Sequence, residues 1–451
     1  MGEMSWFRTQ AVLSWFSEFE DIRLRTDIYH HHLDRSWRKF NRFSGGPNVH
    51  TLLYSDPAGG QGAVFLDILR GNEDSQSDDQ QLMIGINHRV FHAMGVQSKL
   101  LWSLYTPKFS NHLEFGIRYH QDNVTRNHTE DAFLMTAGDL VASDSETMTL
   151  LHADSRARAL AMYIHNDLAF DKLHLYPGLR LELVEGNFRS VDEDWNTPTF
   201  RPTLLPGFGA LYAFDDWMNV FAGVHEGFSV VSPGQPQEIQ PEKSINYEAG
   251  FRLQEDQTHI EIVGFYNQYS NITGQCTFSG GCSDQSIDQQ FNGGLASIYG
   301  VESLFHYSIY PTPDLSFPLE ATYTYTDGGF QTGFQSNYPQ FGTVSQGDFF
   351  PYVAKHQARV QLGVNYQALS LHSGLHYRST MLDEAGLFDT NTAILDSILL
   401  MDVSLKYEWK QYMISFSGNN LLNDAAVSSW RPFGARPIAP RQFFVDVRYR
   451  Q

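Results

Sequence analysis

Apolar and polar side chains alternate along most of the chain. Leu173, Leu175, Leu179, Leu181 and Leu183 interleave with Lys172, His174, Arg180 and Glu182. Ile245, Tyr247, Ala249, Phe251 and Leu253 interleave with Asn246, Glu248 and Arg252, and Phe443, Val445, Val447 and Tyr449 with Asp446, Arg448 and Arg450. Successive side chains of a strand point to opposite faces, so each such segment has one apolar and one ionic face. The pattern predicts 17 strands, at roughly 5–17, 22–40, 82–104, 112–124, 156–167, 172–185, 203–213, 217–229, 245–254, 258–270, 296–307, 313–327, 356–367, 370–381, 398–408, 412–418 and 441–450. Most are longer than ordinary strands and long enough to cross a bilayer at a tilt.

The connections alternate between short and long. Short turns fall near 18–21, 105–111, 168–171, 214–216, 255–257, 308–312, 368–369 and 409–411. Long polar loops fall near 41–81, 125–155, 186–202, 230–244, 271–295, 328–355, 382–397 and 420–440. Keeping all long loops at one end is the habit of an outer-membrane barrel, with short periplasmic turns and long outer loops. The expected fold is therefore all-β: a transmembrane antiparallel up-and-down β-barrel of about 17 strands. The ionic face of each strand lines a wet lumen, because a charge facing lipid costs roughly 2–4 kcal/mol at mid-depth. The odd count, a first strand entering from outside and an N-terminus without a signal peptide predict the C-terminal part of a longer protein.

Composition narrows the function. Asp and Glu number 51 against 31 Lys and Arg, a net charge of −20, which leaves no basic surplus for nucleic-acid phosphates. No run approaches the ~18 apolar residues of a membrane-spanning helix. The 33 Phe, 22 Tyr and 8 Trp fit either a soluble core or the aromatic girdles of a membrane barrel. The two cysteines, Cys276 and Cys282, exclude a four-cysteine metal site. They either close a small disulfide loop, which implies an oxidising compartment, or remain free thiols.

Several segments, taken in order, resemble the β-barrel of TonB-dependent outer-membrane receptors, and more closely the ferric-citrate-receptor-like branch. They are Tyr29-His-His-His-Leu-Asp-Arg-Ser-Trp-Arg-Lys-Phe40, Leu173-His-Leu-Tyr-Pro-Gly-Leu-Arg-Leu-Glu182, Leu205-Pro-Gly-Phe-Gly with Val220–Ser229, and Pro241-Glu-Lys-Ser-Ile-Asn-Tyr-Glu-Ala-Gly250. Ala296-Ser-Ile-Tyr-Gly-Val-Glu302, Asn419-Asn-Leu-Leu-Asn423 and Ala439-Pro-Arg-Gln-Phe443 complete the set. The resemblance implies a 22-stranded barrel, of which residues 1–451 would supply about 17 strands with the plug domain absent. It also implies import of an iron chelate, a siderophore or ferric citrate, bound at extracellular loops. TonB would act through the plug, and outer-membrane lipid and lipopolysaccharide would surround the wall. The family's closing strand usually ends in an aromatic residue, where this chain has Gln451.

Candidate site residues each have a plainer reading beside the functional one. His30, His31 and His32 suggest a metal, but adjacent strand residues face opposite ways, so the three cannot converge. Glu73, Asp74, Asp78, Asp79, Asp139, Asp144 and Glu146 could hold a hard cation or simply be solvated. Arg23, Arg25, Arg180, Arg252, Arg359, Arg378 and Arg448 either pair with Glu182, Glu248 and Asp446 or guide an anionic chelate. No HExxH, GxSxG, Walker or GxGxxG motif is present, and neither an enzyme nor a cofactor is expected. The rivals are a passive porin-like channel and a soluble secreted β-protein.

Overall fold

The computed structural model of the protein describes residues 4–46, 60–190, 195–277, 280, 282, 288–389, 393–431 and 434–450. Its frame is a single antiparallel wall of 17 long strands in chain order. These are β1 (Met4–Phe19), β2 (Ile22–Phe43), β3 (Leu82–Tyr105), β4 (Ser110–Thr136), β5 (Met148–Phe170) and β6 (Leu173–Ser190). β7 (Trp195–Asp215), β8 (Met218–Ser229), β9 (Glu242–Glu255), β10 (Thr258–Ser270), β11 (Ala296–Thr312) and β12 (Leu315–Phe330) follow. β13 (His356–Tyr366), β14 (Leu369–Arg378), β15 (Ile398–Trp409), β16 (Tyr412–Asn419) and β17 (Gln442–Tyr449) complete it. Each pairs with its predecessor. The count expected from alternation is the count observed.

Cross-strand registers confirm the two faces. Met162 pairs with Leu181, and Leu181 with Leu204, all on the outer face. Arg180, Glu182 and Thr203 lie on the lumenal face between them. Large apolar residues on the outer face stay exposed, Leu204 at 55% and Ile164 at 45%. They are not stacked against a second sheet, so the two-layer soluble alternative does not describe this fold.

Aromatic residues gather at both rims of the outer band. At the short-turn rim the ring centroids of Phe109 and Phe170 are 5.9 Å apart, of Trp409 and Tyr412 6.1 Å, and of Tyr412 and Tyr449 5.4 Å. Toward the long loops stand Tyr247, Tyr266, Tyr299, Tyr323 and Tyr377, all exposed. Rings with one apolar and one polar end favour membrane–water boundaries, and two such belts frame a hydrocarbon layer.

Burial concentrates in the long-loop layer. A helix, α1 (Gly60–Arg70), lies within the expected 41–81 loop. Its Phe65, Leu66 and Ile68 pack on Phe43, Leu82, Ile84 and Met135. A second cluster joins Ala296, Phe330, Val344 and Phe350, and a third Ala354, Met381 and Leu395. Asp383, 2% exposed, ties three loops together: Arg431 pairs with it at 3.0 Å and the Tyr352 hydroxyl donates to it. Burial and that carboxylate push the Tyr352 phenol up to about 12.

Three expectations need correction. The 186–202 loop is largely strand, since β6 and β7 stay paired up to Ser190 and Trp195, and residues 191–194 lie outside the described residues. The 125–155 loop shrinks likewise, because β4 and β5 continue as a ladder past the apolar band. Polar alternation above the membrane carries no hydrophobic signal, so strand ends there look like loop. The 41–81 loop is not wholly irregular, as α1 shows. Gln451 lies outside the described residues.

Candidate functional site

The extension of β4 builds a cluster of charged side chains in the lumen. Arg126 faces inward from β4 directly opposite Arg89 of β3, and Arg35 of β2 points into the same space. Arg35 lies over the rings of Trp37 and Phe91, at 4.8 and 5.1 Å. His128 lies one turn of the pleat higher on β4, above the outward apolar band and outside the membrane-spanning part of the strand. Arg89 Nε donates to His128 Nε2 at 3.1 Å. Burial, then Arg89 and Arg126, push the His128 imidazole down to about 4, so it is neutral at physiological pH.

One carboxylate enters this cluster from a distant segment. Asp288 follows the Cys276–Cys282 loop and has φ +68. The sulfurs of that pair are 2.10 Å apart and the Cα atoms 5.8 Å. Backbone bonds between Cys276 and Asp288 and between Cys276 and Gln289, at 3.0 and 2.9 Å, fix the residue against the cysteine pair. Arg89 Nη2 donates to Asp288 Oδ2 at 3.2 Å, and Arg126 Nη2 stands 3.7 Å from the same oxygen. Arg126 Nε is buried with no hydrogen-bond partner among the described residues. These side chains, with Asn87, Phe188, Pro236 and others, line a cavity of about 900 Å³. Above them, nearer the long loops, Arg42 and Asn41 hold Glu130 at 2.7 and 2.8 Å, so that carboxylate is already matched. The remaining arrangement can hold an anionic group by charge-assisted hydrogen bonds in a partly dry space.

The sequence is matched by the family model of the TonB-dependent receptor-like β-barrel over residues 5–421. The chain belongs to that family. The receptor barrel also superposes on solved structures. They include the ferric citrate transporter FecA in the unliganded form, with 15% identity, a TM-score of 0.73 and coverage of 98% of this chain and 61% of that one. The siderophore receptor PiuA from Acinetobacter baumannii gives 13%, 0.72, 99% and 64%, and the ferric-catecholate import receptor Fiu from K12 E. coli 14%, 0.69, 98% and 64%. At such identities the likeness is one of fold. The chain spans less than two thirds of the length of each. No curated protein matches the sequence.

In the receptor barrel the residues singled out from sequence are mostly structural. Arg23 pairs with Glu18 at 2.9 Å, Arg25 with Asp27 at 3.0 Å, Arg252 with Glu261 at 2.6 Å and Arg448 with Asp446 at 2.8 Å. Arg180 Nε donates to Glu182 at 2.7 Å. Arg359 donates to Gln361, and Arg378 to the Asp396 carbonyl. The partner of Arg252 is thus Glu261 rather than Glu248. His30 and His32 face outward and His31 inward. His92 of β3 joins the outward pair, with its Nδ1 3.5 Å from His30 Nε2. Of the acidic loop residues, Asp74 accepts from the Ala137 amide and Asp78 from Gln81. Among the described residues no group of three or more His, Cys, Asp or Glu could hold a metal ion.

The sequence reading missed Arg35, Arg89, Arg126, His128 and Asp288. Alternation carried along the predicted strands 22–40 and 82–104 could have placed Arg35 and Arg89 inside. Arg126 lay past the predicted end of its strand, and nothing local linked Asp288 to either.

Proposed function

We propose that this chain forms the wall of an outer-membrane receptor that imports an iron chelate, a siderophore or ferric citrate. In this reading the ligand arrives at the long loops and TonB supplies the energy in the intact protein. Lipid and lipopolysaccharide surround the belted outer face, the wall itself performs no bond chemistry, and Cys276 and Cys282 are oxidised together in the envelope. What carries the reading is family membership over residues 5–421 combined with a cation-lined cavity at the long-loop end of the lumen. Anionic chelates suit guanidinium forks, which match carboxylate geometry.

The test is radioactive iron uptake in a Gram-negative strain stripped of its own chelate receptors and expressing the intact receptor that contains this wall. Saturable accumulation of iron from ferric citrate or another chelate, lost on deleting TonB, is the expected result. TonB-independent, unsaturable entry of unrelated small solutes would instead mark a passive channel. No uptake of any chelate in a panel spanning citrate, catecholates and hydroxamates would defeat the iron reading.

A further inference from the structure

We propose that Asp288 is a built-in competitor: its carboxylate occupies an anion subsite formed by Arg89 and Arg126, and a multiply charged carboxylate or phosphate group of the incoming ligand displaces it. The inference rests on the receptor reading for the source of that ligand, but not for the existence of the subsite.

The arrangement is asymmetric in a telling way. The two cations sit on adjacent strands of the wall, where the register of β3 with β4 sets Arg89 opposite Arg126. The anion sits on a loop nearly two hundred positions away in sequence. A rigid receptor half and a tethered occupant half are thus built from different parts of the chain. Asp288 also underfills the space. Arg89 holds one of its oxygens at 3.2 Å, Arg126 reaches the same oxygen at 3.7 Å, and Arg126 Nε has no hydrogen-bond partner among the described residues. A single carboxylate on a short stem leaves donors that a larger anion would satisfy. A purely structural ion pair has no need of two cations around one oxygen, nor of a 900 Å³ cavity beside it.

The tether has its own fastening. Cys276 and Cys282 close the loop, and the Cys276 carbonyl accepts from the Asp288 amide at 3.0 Å. The crosslink therefore shortens the segment that presents the carboxylate and raises its local concentration at the arginines. A competitor that is seated ~90% of the time weakens the apparent affinity for an external anion about tenfold.

The experiment is equilibrium binding of two probes, citrate and pyrophosphate, to the protein purified in detergent, with acetate as a singly charged control. Asp288→Asn should tighten one of the two probes roughly tenfold, and acetate should gain little. The probe that gains more distinguishes a carboxylate source from a phosphate one. Arg89→Gln combined with Asp288→Asn should cancel the gain. The paired change Cys276→Ser and Cys282→Ser, which leaves every charge in place, should tighten binding by a smaller factor and serves if Asp288→Asn does not fold. Unchanged or weaker binding in Asp288→Asn, or a gain that survives Arg89→Gln, overturns the proposal. Because binding is measured without TonB, its failure is separable from failure of the transport assay above.

Discussion

Asp383 shows how much one side chain can hold. It is almost fully buried, and its charge is balanced by Arg431 with Tyr352 donating alongside. Removing one partner of such a pair strands a charge away from water, at a cost of about 3–5 kcal/mol. Arg431→Ala should therefore loosen the three loops it joins, read as faster protease cleavage within 380–389 and 420–431 while the strands stay protected. His128 gives the pH counterpart. Folding keeps its imidazole unprotonated down to about 4, whereas an unfolded chain protonates it near its ordinary value of 6.5. Between those limits the unfolded state binds more protons. The contribution is complete above pH ~6.5 and is lost as pH falls toward ~4. Thermal unfolding should show this decline, and His128→Gln should flatten it. Legibility at this scale was uneven for a physical reason. Local alternation tells which way Arg35 and Arg89 point, but meeting Asp288 depends on a loop path that no periodicity encodes.

At the scale of the element, the sequence was most readable where lipid imposes it. The strands cross an apolar layer, so every second residue is constrained, and the 17 segments stood out. Leu204→Arg on the outer face of β7 should cost roughly 2–4 kcal/mol if it lies near mid-depth, measured as loss of folded, heat-modifiable protein on gels. The helix α1 was less visible, because a single apolar stripe beginning at Val64 within a polar stretch reads equally as a buried loop. Its docking face comes from β2, β3 and β4. Phe65→Ala should destabilise that cap by about 3–5 kcal/mol, read as increased hydrogen exchange over Gly60–Arg70. The short turns share a backbone habit: Glu20, Asp171, Asp256, Gln367 and Lys410 all have φ between 46 and 54. Side chains other than Gly, Asn and Asp are strained there by about 1–2 kcal/mol.

Across the whole molecule, the first and last strands differ from the rest. Among the described residues no pairing joins β1 to β17, and both are exposed along almost their entire length, with Leu13 at 70% and Val445 at 71%. Interior strands such as β9 have neighbours on both sides. Amide exchange in β1 and β17 should accordingly outpace that in β9 by orders of magnitude at the groups that point away from β2 and β16. A consequence follows from direction alone. In a ring where every neighbour runs the opposite way, members come in pairs. Sixteen reversals leave β1 and β17 aimed the same way, so the two lips cannot zip to each other in the antiparallel pattern of the wall. Hydrocarbon offers no water to their bare amides. The gap can be sealed in that pattern only by an odd number of additional strands, and any even number leaves the same mismatch.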